Sequence, residues 1–519
     1  MSQRLNLANR FLDNRCDCNI VKSLAAFYRS HLDFFNREDL WCCALKHCFS
    51  KTLSDEALIW ELLDECREMH TDSPTSYLHR LRKLASLSFF HQFQPIPKVK
   101  ALMQQVYREI DTLGFWDEFH LGKALYSLGC HLIGLPTPKI EPTQLAKGGI
   151  LLESGDHFRD GGMPHLLLNA ELALIWLFLG WKLKCDKLIE GALKWANFSV
   201  NFFDHEGRPF HGMWIRESEY SPLLLYAFYF LLFSMSSRIA TNPKISQLAD
   251  NLFDVLEKMD HTVSKTSVVF SGFFSLGFEY LNQDGVYSEV INSHPTHEID
   301  QDLGYLLFKQ NDFSFACSFS GVNTGLGALH KTDVRIVSFG PHRTPLGDPD
   351  CYGIYRTCSF HQPFRDIELV KTSDNFALKG WTRILSSDMA RGGMPGLTIN
   401  LPSRHWLYFC AEGGENGVLL TSRLLKQGDE SPLFFTYFIK ADQVRIGSAL
   451  FSPGTLHQYR GENREMLFEK RGETLFLKPH MKGEMCVIPL AGGNHFWGAD
   501  FLVAFTFDPF GNTCSWEIQ

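Results

Sequence analysis

Apolar residues recur at helical spacing through the first half of the chain, from about residue 53 to residue 259. Within each segment they fall three or four positions apart, which places them on one face of an α-helix. Gly, Pro, Asn or Asp separates one segment from the next, as is usual for turns between helices. The pattern predicts helices at residues 99–113, 121–133, 165–183, 187–203, 222–239 and 245–259.

Helices that follow one another with no strand between them pack as helical hairpins. Such hairpins either stack into a superhelix or close into a ring, and both shapes leave one concave face for a ligand. The periodicity does not choose between the two, and the sequence shows no repeat of fixed length.

The pattern changes after about residue 262, where short runs of β-branched and aromatic residues replace the helical spacing. Strands are predicted at residues 267–274, 304–308, 313–319, 334–339, 366–370, 405–410, 433–439, 475–478 and 501–507. Strands of this number and spacing are typical of an antiparallel β-sandwich. We therefore predict an α+β protein of two domains, residues 1–262 helical and residues 263–519 a β-sandwich, with the boundary between Asp260 and Val268.

Chain length and net charge limit the number of domains and the classes of ligand that the protein is expected to have. A chain of 519 residues is too long for one compact core. Its net charge of −8, from 50 basic and 58 acidic side chains, gives no general attraction to nucleic acid or to an anionic membrane. The two most apolar runs are residues 166–181 and 222–235. Asn169 and Glu171 interrupt the first, and the second is too short for a membrane span. Both are predicted to be buried helices.

The first twenty residues show no secretory signal pattern, so we expect a cytoplasmic protein. The fourteen cysteines are scattered, which favours free thiols. Cys42, Cys43, His47 and Cys48 lack the second spaced pair of a zinc site. We predict no cofactor, and the sequence gives no support for a structural metal in the β-sandwich.

Several common catalytic motifs are missing from the sequence, among them G-x-S-x-G, the phosphate-binding G-x-x-x-x-G-K-[ST], H-E-x-x-H and G-x-G-x-x-G. Polar residues concentrate instead in three regions: residues 154–165, residues 204–220, and the strand-rich segments at 325–333, 341–343, 355–356 and 361–362. Asp and Gly in such segments also favour turns for local reasons. Loops held by a rigid scaffold are nevertheless where functional residues tend to lie.

These regions resemble heparinase II/III-type polysaccharide lyases. Residues 157–165, His-Phe-Arg-Asp-Gly-Gly-Met-Pro-His, resemble a family loop in which a His-aromatic pair and an acidic residue precede Met, Tyr and His. Residues 204–210, Asp-His-Glu-Gly-Arg-Pro-Phe, are similar to the family's His-Pro-Asp-Gly loop. Residues 302–308 and 325–333 resemble the entrance to the family's β-sandwich and its Gly-His-x-His-Ala-Asp motif, with Leu326 at the first His.

The resemblance runs in matching order from about residue 147 to residue 361, where Tyr355, Arg356 and His361 follow the family's Tyr-Arg and His-Asn. It implies an incomplete ring of helical hairpins, an α/α toroid, followed by a β-sandwich. It also implies a lyase that cleaves an acidic, uronic-acid-containing polysaccharide by β-elimination.

The resemblance also implies roles for particular residues. His157 takes the position that neutralises the substrate carboxylate, with Asp160 orienting it, and the base or acid comes from the second loop as His211 or Tyr220. Arg216 is four residues from Tyr220 and favours a lowered phenol pKa. His330, also expected to be catalytic, closes the site from the sandwich side. The expected substrate-binding residues are Arg159, Asp160, Arg216, Tyr355, Arg356 and His361.

Two alternatives remain open at this stage. A glycoside hydrolase on a helical toroid needs two carboxylates about 5–9.5 Å apart across the scissile bond. The acids available for that role are Asp160, Glu206, Glu217 and Glu219. The other alternative is a catalytically inactive carbohydrate-binding protein. The lyase hypothesis requires His157, His211 or Tyr220, and His330 to converge on one cleft.

Overall fold

A computed structural model describes most of the chain from residue 78 onwards. The described residues are 78, 80–82, 84–85, 88, 91, 97–113, 120–140, 166–204, 206–210, 222–237, 239, 242–258, 299–300, 304–310, 312–319, 325–331, 333–342, 360–389, 398–425, 433–490, 498–507 and 511–519.

Six α-helices have described bounds in the first half, and the described residues between 78 and 91 are helical as well. They are α1 Pro97–Leu113, α2 His120–Ile133, α3 Leu166–Leu183, α4 Asp186–Ser199, α5 Pro222–Ser236 and α6 Pro243–Lys258. The predicted helix at 187–203 ends earlier, because the chain tightens into a 3-10 turn at Val200–Phe202 and becomes extended at Phe203. That extended residue forms a β-bridge with Pro209, which turns the chain back before the next helix.

Helix α3 is the centre of the helical core. It is apolar on every side, and all its residues from Leu166 to Gly180 are buried. By length and composition it could cross a membrane, but 83% of it is buried inside the protein. Helices α2, α4 and α5 pack against it, which confirms the prediction that the apolar runs at 166–181 and 222–235 form buried helices.

One buried ion pair interrupts this apolar core. Arg82 donates through Nε and Nη2 to the two carboxylate oxygens of Glu171, at 2.7 and 2.6 Å. Both side chains are almost fully buried. Burial raises the pKa of Glu171, and the charge and hydrogen bonds of Arg82 counteract that rise. The two-pronged geometry fixes the segment around residue 82 against α3.

Nineteen strands follow in the described part of the second half. They are β1 Ile299–Asp300, β2 Tyr305–Gln310, β3 Phe313–Ser318, β4 Gly327–Lys331, β5 Val334–His342, β6 Phe360–His361, β7 Arg365–Lys371, β8 Asn375–Met389, β9 Thr398–Gly414, β10 Gly417–Leu425, β11 Phe434–Lys440, β12 Gln443–Ile446, β13 Ala449–Phe451, β14 Tyr459–Glu462, β15 Met466–Lys470, β16 Glu473–Pro479, β17 Glu484–Pro489, β18 Phe501–Thr506 and β19 Cys514–Ile518.

The strands form two antiparallel sheets. The first has the order β1-β2-β3-β4-β5-β11-β18-β17-β14, and the second has the order β13-β12-β15-β16-β19-β10-β9-β8-β6, with β7 also paired to β8. Stacked aromatic rings join the sheets: the Phe315 and Phe376 centroids are 4.7 Å apart, and those of Phe435 and Trp516 are 4.3 Å apart. The Phe-rich composition therefore serves largely as packing between the sheets.

Strands β2 and β3 are buried on both faces. Leu306 and Phe315 point into the core between the sheets, while Leu307 and Ala316 belong to the core built by the helices. Tyr305 on β2 packs against Phe198 and Phe202 of the helical half, with ring centroids 5.7 and 5.5 Å apart. The first sheet is thus shared between the sandwich and the helices.

The α+β class is confirmed, with helices in the first half and two antiparallel sheets in the second. Closure of the helices into a toroid stays a prediction. The predicted domain boundary near Asp260, the strand at 267–274 and the group at Cys42, Cys43, His47 and Cys48 lie outside the described residues.

We predict that Arg82→Met lowers the free energy of unfolding by about 3–5 kcal/mol, because it leaves the Glu171 carboxylate buried without its partner. Urea denaturation measures this loss. It should shrink as the pH falls toward the ordinary glutamate pKa of about 4.3, since protonation removes the orphaned charge. The double variant Arg82→Met/Glu171→Leu should recover most of the stability.

Arg108→Met on the exposed face of α1 is the matched control, and we expect it to stay within about 0.5 kcal/mol of the unaltered protein. Equal stability of the Arg82 and Arg108 variants would contradict the role assigned to this pair.

Candidate functional site

The structure describes the side chain of one residue among those predicted for the site, His330. His361 lies on β6 opposite Ile384, and only its backbone is described. The others lie outside the described residues, so their roles and their distances from His330 stay predictions: His157, Arg159, Asp160, His211, Arg216, Tyr220, Tyr355 and Arg356.

His330 lies on β4 and points away from the core between the sheets. Its neighbour Leu329 belongs to that core, so strand alternation turns His330 toward the helical half. The side chain is 1% exposed. The Phe210 ring of the helical half packs on the imidazole, with centroids 4.7 Å apart and an interplanar angle of 31°.

The partner of His330 is Asp204, in the turn that follows α4 and the 3-10 turn. The Asp204 Oδ1 atom accepts hydrogen bonds from the backbone N–H groups of Glu206, at 3.0 Å, and Arg208, at 2.8 Å. Gly207 adopts a φ of 80°, a conformation that favours glycine. Asp and Gly at these positions therefore build the turn locally and leave Oδ2 available for a longer-range contact.

That contact joins the two halves of the protein. The Asp204 Oδ2 atom is 3.2 Å from Nδ1 of His330, across 126 residues of sequence. Burial raises the pKa of Asp204, but contact with His330, the charge of Arg335 and the Arg208 N–H outweigh it and lower that pKa to about 2. Burial lowers the pKa of His330 to about 4, against the hydrogen bond and charge of Asp204.

These shifts define the protonation states at neutral pH. Asp204 is an anion that only accepts, so Nδ1 of the neutral His330 carries the proton and donates it. The other ring nitrogen, Nε2, is then unprotonated. It is buried and has no hydrogen-bond partner among the described residues.

Cationic side chains surround the pair. Arg208 donates to Asp333 at 2.6 Å and also pairs with Glu206. The positive charge of Arg335 acts to lower the pKa values of Asp204, His330 and Tyr226. Lys309 donates to the carbonyl oxygen of Phe203, and its Nζ lies 5.7 Å from the centroid of the Phe210 ring.

Lys309, His330 and Arg335 belong to one polar row across the first sheet. Strand register places the row in the order Lys309, Ser314, His330, Arg335 and Lys440, each residue directly opposite the next. Directly opposed residues share a face of the sheet. The face that packs on the helices therefore changes from apolar, at Leu307 and Ala316, to polar at this row.

A cavity of about 310 Å³ lies beside the pair. Residues of the 3-10 turn, of helix α6 and of strands β2 and β3 form its wall, so both halves of the protein contribute. Asp204 and Lys309 reach this wall from the junction. Among the described residues, no group of three or more His, Cys, Asp and Glu side chains is arranged to hold a metal ion.

Sequence reasoning missed Asp204, Arg208 and Arg335 as parts of the junction. The segment 204–210 was recognised, but no local pattern shows that Asp204 points at a strand 126 residues later. Arg335 could have been placed beside His330, because a tight turn between Lys331 and Val334 pairs strands β4 and β5 so that the two residues are opposite each other.

No protein-family model matches the chain, and no curated protein matches it significantly. Among solved structures, the chain is similar to a xanthan lyase from Paenibacillus, with 10% sequence identity and a TM-score of 0.50. The match covers 96% of this chain and 53% of the xanthan lyase chain, so this chain spans about half the length of that protein. The likeness shows a fold shared with a polysaccharide lyase and does not single out the heparinase II/III type.

Proposed function

We propose that this protein is a polysaccharide lyase of heparinase II/III type, which cleaves a uronic-acid-containing glycan by β-elimination where the helical half meets the sandwich. The observation that carries the proposal is the contact between Asp204 and His330. It joins two of the segments that carry the sequence resemblance, residues 204–210 and 325–333. The shared fold with a xanthan lyase supports the same class of reaction. Under this proposal the helices form an α/α toroid, residues 1–262, followed by the sandwich, residues 263–519.

The chemistry begins at the uronate carboxylate. Its negative charge makes the C5 proton hard to remove, so a donor must stabilise the charge that develops on the carboxylate, an effect worth about 3 kcal/mol for one donor. His157, oriented by Asp160, takes this role. Arg159, Arg216, Tyr355, Arg356 and His361 bind the rest of the substrate.

The elimination itself needs a base and an acid. The base, His211 or Tyr220, takes the C5 proton, and the electrons of the C5–H bond form the C4=C5 double bond. The C4–O4 bond breaks, and the leaving O4 receives a proton from an acid. No oxidant, reductant or water is consumed in this step.

Within this mechanism His330 is a positioning residue, because a ring that is 1% exposed does not reach a sugar. Its imidazole packs on Phe210, and the next residue in the chain is His211. The Asp204 carboxylate holds the same turn through two backbone N–H groups. The chain therefore enters the segment 211–220, which carries the proposed base, from an anchored position.

Hydrolysis is less well supported. It needs two carboxylates free to face one glycosidic bond. The Asp204 carboxylate is buried and bound to His330, and Glu206, one of the four acids available for hydrolysis, is paired with Arg208.

We predict that the protein releases unsaturated products from at least one uronic-acid polymer in a small panel. The new C4=C5 double bond, conjugated with the carboxylate, is followed by its ultraviolet absorbance, and reducing ends are counted in parallel. Replacement of the true base, in His211→Ala or Tyr220→Phe, should lower kcat about 10²–10⁴-fold.

Tyr459→Phe on β14 is the matched control for the phenol, because its hydroxyl donates to a nearby backbone carbonyl, that of Glu462. New reducing ends without double bonds would identify a hydrolase and overturn the proposal. Glycan binding with no cleavage of any polymer would overturn it in favour of a carbohydrate-binding protein.

The Asp204–His330 pair also predicts a pH dependence of stability. Because the folded-state pKa of His330 is about 4, below the usual 6.5, the unfolded chain binds a proton between these values that the folded protein does not. Stability should therefore fall by about 3 kcal/mol as the pH drops from 6.5 to 4. His330→Gln should flatten this part of the profile, measured by urea denaturation at several pH values.

His457→Gln, in an exposed loop, is the control and should keep the original profile. If His330 is a positioning residue, His330→Gln should also lower kcat while KM changes little. An unchanged kcat in a folded variant would show that the pair is structural only.

A further inference from the structure

The cavity beside the Asp204–His330 pair has the features of a binding site. Its volume of about 310 Å³ is at the lower end of the range of about 300–1,000 Å³ typical of small-ligand sites. The wall combines apolar side chains, among them Leu248 and Leu307, with polar ones. An apolar wall suits the C–H face of a sugar ring, and the polar groups suit its hydroxyls.

The charges on the wall favour an anion. Two lysines, Lys244 and Lys309, and one acid, Asp204, reach the cavity. The acid is already engaged with the N–H groups of Glu206 and Arg208 and with His330. The wall thus carries a net charge of +1, and its one carboxylate is turned to other partners.

Four neutral amide side chains supply directional hydrogen bonds around these charges: Asn201, Gln247, Asn251 and Gln310. The Gln310 Oε1 atom is buried and has no hydrogen-bond partner among the described residues. A buried oxygen without a donor costs about 1–3 kcal/mol, which a ligand hydroxyl would recover.

The backbone of Lys244 is fixed at the start of helix α6. The Asn242 side chain caps that helix by accepting from the Lys244 N–H at 3.0 Å, and its amide donates to Asn197 of α4 at 2.7 Å. The opposite wall is fixed by the pairing of β2 with β3, where Lys309 faces Ser314. The two lysines therefore come from different halves of the protein and face one space.

We propose that this cavity binds a sugar carboxylate, with Lys244 and Lys309 as counter-charges and the amides on the hydroxyls, and so forms a subsite for an acidic sugar beside the Asp204–His330 pair. The identity of the ligand rests on the function proposed above. Two features distinguish this subsite from a general glycan surface: it requires the carboxylate, and it requires both halves of the protein.

The test measures binding of sodium glucuronate to the full chain by saturation-transfer NMR and calorimetry, with glucose as the uncharged probe. Glucuronate should bind and glucose should bind far more weakly. Lys244→Gln should raise the Kd of glucuronate about fivefold. Lys187→Gln on the exposed face of α4 removes the same charge away from the cavity and should leave the Kd unchanged.

A second variant tests the location independently of charge. Gln247 is an exposed residue of α6 on the cavity wall, so Gln247→Trp should fill the opening and abolish binding without entering the core. Equal binding of glucose and glucuronate, no binding of glucuronate, or an unchanged Kd in both cavity variants would overturn the subsite.

The two proposals fail separately. Unsaturated products without glucuronate binding in the cavity would leave the lyase function standing and remove the subsite. Glucuronate binding that responds to Lys244→Gln and Gln247→Trp, with no elimination on any polymer, would remove the lyase function and leave an acidic-sugar-binding site.

Discussion

Burial of both faces of β2 and β3 is the constraint on which the rest of the structure depends. One face of these strands lies in the core between the sheets and the other in the core of the helices. Apolar surface buried on both sides makes separation of the two halves costly, at roughly 25 cal/mol for each Å² that would be exposed. Because separating the halves costs free energy, side chains contributed by both halves are held in one fixed arrangement.

The polar row beside this apolar contact has a different role. Charges at a buried junction stabilise little after desolvation, but a wrong partner there is costly. Asp204 illustrates the effect, since two backbone N–H groups and one imidazole satisfy a single carboxylate. The pair therefore fixes the conformation of the turn at 204–210 and its register against β4 more than it adds to total stability.

The same arrangement brings polar groups from both halves together at the junction. The cavity with Lys244 and Lys309 adjoins the anchored turn, and the turn leads into the segment with the proposed base. Helices and strands supply the rigid walls, while turns carry the groups that differ between members of a fold. The likeness to a xanthan lyase at 10% identity illustrates this, because a shared architecture persists where few residues are shared.

Several strands were not predicted from the sequence, and weak alternation does not explain all of them, since β19 alternates regularly between buried and half-buried residues. Strand β8 at Asn375–Met389 was missed entirely, and β9 at Thr398–Gly414 is far longer than the predicted 405–410. Both contain polar and charged positions that face solvent in part. Their extended conformation is stabilised by pairing with each other over most of their length, a long-range contact that a local window does not contain.

By itself the sequence determined the order of structure, helices first and antiparallel strands second, because periods of 3.6 and 2 residues are local properties of a chain. It also identified α3 as a buried helix and His330 as a functional candidate. Only the tertiary structure decided that His330 meets Asp204, that Arg335 stands beside them, and that Lys244 and Lys309 share a cavity. Asp204 and His330, like Lys244 and Lys309, are far apart in sequence, and their proximity is set by how the sheet packs on the helices.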